Sequence, residues 1–333
     1  MYFRGKQSDS SEAILRICLD RYVHTGISHV NCLTGRPFAR RYPLSHPPLW
    51  FAPFIDPWNG LLSAFSALGI RQYARTHLFA AGAPTNPSQG DEFGRQLDDL
   101  LTQWLQVDAV ILGPLDRRVL WNTLESRYYG GTAHFVFVYA TAGIGRFRVH
   151  DPEGRPCSSV SAMQLATAQV GAPSPTGLTQ ITNQGALRPW KEVLIHTVRT
   201  GIQIYSTAVD FPEAGPQGLA SLVDQLRTKP LKTSERGSLH YALTYTMLAV
   251  QDLARLFTDS TWEYFIGQAA YESSLHEWRR FARYFCRTCA TALDGLHRGD
   301  QPLLLSSLED VTNWETNLGT LLETSVDLLP QVE

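Results

Sequence analysis

No apolar run in these 333 residues reaches the roughly 18 that a membrane-spanning helix needs. The opening stretch, MYFRGKQSDSSEA, lacks the apolar centre of a secretory signal, so a cytoplasmic location is the expectation. Charge is scarce as well. Only 18% of residues are Asp, Glu, Lys or Arg, the formal net charge is -2, and no basic stripe and no run of like charge is expected. A nucleic-acid partner therefore has no electrostatic support, and neither it nor a membrane is expected. Cysteine is sparse and odd in number: Cys18, Cys32, Cys157, Cys286 and Cys289. That set does not make a disulfide framework. Cys286 and Cys289 form one CxxC inside a helical pattern, without the second pair of ligands zinc would need, and read as two small residues on one helix face. His240 and His276 are single histidines with no partner four residues away. There is no phosphate-binding GxxxxGK[ST], no dinucleotide-binding glycine fingerprint and no GxSxG elbow. No metal and no cofactor are expected.

What remains is apolar and aromatic. Hydrophobic residues make up 44% and aromatics 11%, enough for one large or two ordinary domains with a sizeable core. Residues 10–23 have helical spacing. Residues 34–58 are rich in proline and aromatics, too stiff for a helix and too apolar for a free linker. They are expected to pack over the core or line a pocket, with Trp50 and Trp58 as candidate substrate contacts. Helices are expected at 59–68 and 92–106, and a strand at 109–113. Residues 171–190, rich in Pro, Gly, Thr and Gln, read as a loop or linker. Helical patterns follow at 219–226, 239–257, 262–293 (with a break near Ser273) and 303–329. The fold class is therefore α+β: an N-terminal domain over 1–170 with an antiparallel sheet, the loop at 171–190, and a mainly helical region over 191–333 that covers the site.

The most informative stretch is 133–154, AHFVFVYATAGIGRFRVHDPEG. His134 enters a run of β-branched and aromatic residues, Gly143 and Gly145 supply a turn, and the second strand ends at Asp151-Pro152. An aspartate that accepts from one imidazole nitrogen fixes the tautomer and leaves the other nitrogen as a base. His134 and Asp151 are thus a candidate base and its orienter. Tyr128 and Tyr129 precede the hairpin. Asp116 follows the apolar strand AVILGPL.

The order of Cys32, an apolar strand ending Gly-Pro-Leu-Asp, His134 before a strand, and Asp151-Pro152-Glu153-Gly154 resembles the papain-like cysteine-peptidase fold. More narrowly it resembles the bacteriocin-processing cysteine peptidases and the N-terminal domain of the butirosin-biosynthesis acyltransferase family. The resemblance covers about residues 25–160. It implies Cys32 as nucleophile, His134 as base and Asp151 as its orienter. It also implies Asn31 as a candidate oxyanion donor, with Asp116, Tyr128 and Tyr129 near the cleft. This chain departs from the pattern after the cysteine. Gly35 and Pro37 stand within five residues of it, where such enzymes open a long helix.

Two chemistries fit these residues. One is acyl transfer or chain release through a Cys-His-Asp site, on a polyketide- or peptide-type small molecule, free or carrier-protein-bound, in antibiotic-type secondary metabolism. The other is a cyclase in which His134 alone deprotonates an acidic carbon, so that elimination or Michael-type addition closes a ring. A non-catalytic ligand-binding protein on the same fold is the third reading.

Overall fold

The computed structural model describes residues 14–15, 18, 30–40, 42, 57–76, 87–116, 119–120, 133–150, 158–170, 177–181, 188–209, 211, 214–229 and 231–328. The chain divides into two compact units. The first comprises Met1–Gly26 and Asp56–Leu187, the second Ile27–Ile55 and Arg188–Glu333. This division differs from one drawn at 170 and 190, because Cys32, Phe38 and Tyr42 pack with the C-terminal half.

In the first unit the described elements are α1 (Pro57–Leu68), β1 (Gln72–Thr76), α2 (Pro87–Leu105), β2 (Val110–Asp116), β3 (Ala133–Gly143), β4 (Arg146–His150), β5 (Ser158–Ser161), α3 (Ala162–Val170) and β6 (Gly177–Ile181). The six strands form one sheet in the order β1-β6-β2-β3-β4-β5, and every neighbouring pair is antiparallel. The α+β class follows directly. Alternation along the strands sorts side chains onto two faces. Val110 and Leu112 of β2 and Val136 and Val138 of β3 share a core with Leu97 and Leu101 of α2 and Leu165 of α3. Phe135 and Phe137 point the other way along β3 and are equally buried.

Two expectations need correction here. The segment 171–190 is not simply a loop: Gly177–Ile181 is a buried strand between β1 and β2. Five residues set among Pro, Gly and Thr are too few to show a period, and a strand between two neighbours need not alternate. The β2 strand also runs past its expected stop, through a cis Gly113-Pro114 bond and a register shift, to Asp116.

The second unit is helical: α4 (Trp190–Val209), α5 (Gly215–Thr228), α6 (Thr233–Phe257), α7 (Thr261–Ile266), α8 (Gln268–Arg298) and α9 (Gln301–Asp327), preceded in the chain by two 3-10 turns at Val30–Thr34 and Arg36–Phe38. The break expected near Ser273 falls instead at Gly267, whose φ of 79° suits glycine and separates α7 from α8. The core of this unit gathers Phe38 and Tyr42 from the early segment with Leu243, Trp278, Phe285 and Leu318 from the helices. Phe38 lies against the backbone of α4 at Gly201, where a β-carbon would overlap its ring. Gly201→Ala is therefore expected to cost about 1–3 kcal/mol by overpacking, against the ~1 kcal/mol an exposed helix would gain from the same change. A thermal melt reads the sign. A stabilised variant would mean that Phe38 yields freely.

The helical unit also corrects the charge reading. Arg279, Arg280, Arg283 and Arg287 are all exposed on α8. Spacings of one, three and four hide a stripe in linear sequence and reveal it on a helix. No helix among the described residues is long and apolar enough to cross a membrane.

Candidate functional site

His134 is held near the start of β3, with β2 on one side, and β4 pairs with β3 farther along the strand. Its cross-strand partner is Leu115, and it shares a face with Val136 and Val138, the side packed against α2 and α3. The residue is 1% exposed. Asp116, 2% exposed, pairs with Ala133 on the adjacent rung. The ladder thus sets Asp116 and His134 on neighbouring rungs of β2 and β3. β4 ends at His150, which lies opposite Phe137. Asp151, Tyr128, Tyr129 and Trp50 lie outside the described residues, and Trp58 stands in the first turn of α1.

Cys32 belongs to the second unit, in the five-residue 3-10 turn Val30–Thr34 that also carries Asn31. Its carbonyl accepts from Gly35 N–H at 2.9 Å, and Gly35, at φ 72°, redirects the chain into the next short turn. Among the described residues no long helix follows Cys32, unlike the helix that opens at the nucleophile in the papain-like pattern. Cys32 is 1% exposed and shares an apolar cluster with Phe38, Tyr42 and Leu239. The structure thus places Cys32 and His134 in different packing units, and it sets His134 and Asp116 on neighbouring rungs of one ladder.

A search of protein-family models and of curated proteins returns no match to this chain.

The sequence reading missed a polar cluster inside the helical unit. Arg40 donates from Nε and one Nη to both oxygens of Glu315, at 2.7 and 2.8 Å, and from its other Nη to the Pro37 carbonyl at 2.6 Å. Tyr42 Oη donates to Glu315 Oε1 at 2.5 Å and lies 3.2 Å from Thr246 Oγ1. The Arg40 and Glu315 side chains are at most 1% exposed. Burial disfavours the charged guanidinium, but the bidentate Glu315 carboxylate more than reverses this, and Arg40 titrates above its usual range. Burial and then the Glu315 charge push the Tyr42 phenol well up. One signal was available. The buried apolar stripe of α9 runs Leu304, Leu308, Val311, Leu318, Leu322, and Glu315 fills the next place in that series. A carboxylate there has to find a cation.

A second correction concerns His240. It is not solitary: its Nδ1 lies 2.9 Å from Nε2 of His297, joining the start of α6 to the end of α8. Partial burial, and then the neighbouring imidazole, lower its pKa. Cys286 contacts Met247 O and Gln251 Nε2, while Cys289 is fully enclosed. Burial raises both thiols, Cys289 most. Among the described residues no three metal-binding side chains cluster.

Proposed function

We propose that the chain is an enzyme of secondary-metabolite tailoring in which His134 is the working base and Cys32 is a packing residue. The observation that carries this reading is the setting of Cys32, buried in the apolar core of the helical unit on a five-residue 3-10 turn that Gly35 ends. That setting weakens covalent catalysis and leaves the general-base chemistry. The imidazole is shielded from solvent on a hydrogen-bonded strand, a setting in which a base acts without competing water.

In the proposed step His134 removes a proton from a carbon flanked by two carbonyls of a polyketide- or peptide-type substrate. The resulting enolate attacks an electrophilic carbon of the same molecule. A C–C bond forms, the electron pair of the acceptor double bond moves to its distal carbon, and the imidazolium returns its proton there. Asp151 would hold the imidazole in the required tautomer. The step draws on side chains alone.

The test follows α-carbon deuterium exchange of acetoacetyl-N-acetylcysteamine in D2O, alongside intact-mass analysis after brief iodoacetamide treatment near pH 6. Wild type and Cys32→Ser are expected to accelerate exchange alike, and His134→Gln, checked for folding by circular dichroism, to lose at least about 100-fold. Cys32 is expected to label no faster than Cys286. Rapid labelling at Cys32 that depends on His134 would overturn the reading in favour of acyl transfer through a thiolate–imidazolium pair. Exchange unaffected by His134→Gln would leave a ligand-binding protein.

A further inference from the structure

The strongest unexplained surface is the outward face of α8. Between Trp278 and Leu293 the helix carries Arg279, Arg280, Arg283 and Arg287 and no other charged residue. All four are exposed, and among the described residues none of their guanidinium groups makes a hydrogen bond or ion pair. Three other exposed or half-buried arginines of this unit find carboxylates: Arg227 pairs with Asp224 and Glu309, Arg255 with Asp252, Arg298 with Asp294. At ~1.5 Å per residue the four span about 12 Å along the axis. Tyr284, 45% exposed, lies within the same run and stacks on Trp314 of α9, with ring planes 2° apart. Arginine beside a pre-stacked aromatic is the composition of an interface centre.

We propose that this face docks a partner protein through a short acidic helix, with carboxylates at successive i, i+4 positions facing the arginines and an apolar flank resting on Tyr284 and Trp314. The boundaries of the patch decide the class of partner. Glu272 and Glu277 bracket it on one side and Asp294 on the other. A nucleic acid following the helix, or a flat anionic bilayer, would meet those carboxylates, whereas a crossing helix meets only the 12 Å of arginine. The net charge of -2 adds no long-range attraction for a polyanion. This inference is independent of the role given to His134.

The test measures fluorescence anisotropy of the full chain with a fluorescein-labelled, alanine-based helical peptide carrying glutamates at i, i+4, i+8 and i+12. Saturable binding at low salt is expected. Arg283→Glu with Arg287→Glu should weaken it at least tenfold, and a lysine version of the peptide should then bind the reversed variant better than it binds wild type. These positions are exposed, and circular dichroism verifies the fold. Binding that the double reversal leaves unchanged would overturn the proposal. So would tighter binding to duplex DNA or to phosphatidylserine vesicles than to the glutamate peptide.

Discussion

Glu315→Ala is expected to destabilise the helical unit by about 3–5 kcal/mol, the usual cost of removing one partner from a buried ion pair. The substitution strands the Arg40 guanidinium, whose side chain is 1% exposed, and removes the acceptor of the Tyr42 hydroxyl. At about 2–4 °C per kcal/mol for a domain of 150–250 residues, the melting temperature should fall by roughly 6–20 °C. Glu315→Gln keeps the shape and one acceptor and should cost less. The decisive comparison is the double variant Arg40→Met with Glu315→Leu. A buried pair is replaced by apolar volume at little net cost, so the double variant should be more stable than Glu315→Ala alone. Urea denaturation followed at 222 nm reads all three. A loss below about 1 kcal/mol in Glu315→Ala would show that water reaches the pair and that the early segment is not clamped by it.

Trp278→Ala is the second large effect. Trp278 is 0% exposed on α8, lies 4.5 Å from Phe257 with planes 7° apart, and donates from Nε1 to Ser325 Oγ at 2.9 Å. Truncation removes the whole ring from the contact between α6, α8 and α9, and the expected cost is about 3–5 kcal/mol. Ser325 retains a partner through its own hydrogen bond to the Leu321 carbonyl, so no orphaned polar group adds to this. Trp278→Phe preserves the stacking against Phe257 and should cost distinctly less. Equal losses in the two variants would mean that the indole hydrogen bond, not the ring volume, is what the site requires.

The elements with long, regular patterns were legible in the sequence. The expected helix at 239–257 lies within α6, and the helical pattern at 303–329, which fits one or two helices, is the single helix α9. The hairpin of β3 and β4 announced itself through β-branched runs around two glycines, both at positive φ. Of the aromatics along the C-terminal helices, Tyr245, Trp262 and Trp278 are buried, whereas Tyr264 and Tyr284 are exposed. What was hidden depended on distance along the chain. β6 is too short to show a period, and it is a strand because β1 and β2 flank it. Arg40 reads as one polar residue among prolines until Glu315, 275 positions later, gives it a reason to be inside. His240 had no neighbour in sequence and has one in space. The same holds for the candidate site. His134 could be placed on a strand from its neighbours, but local sequence held no sign that Cys32 would join the helices of the second unit.

That long separation has a temporal side. A ribosome adding about 5–20 residues per second needs roughly 14–55 s to travel from Arg40 to Glu315. Throughout that interval Arg40 and Tyr42 have been made while their carboxylate partner on α9 has not. The polar clamp of the helical unit is therefore closed only by its last long helix, and until then the guanidinium of Arg40 waits for the carboxylate that lets it stay inside.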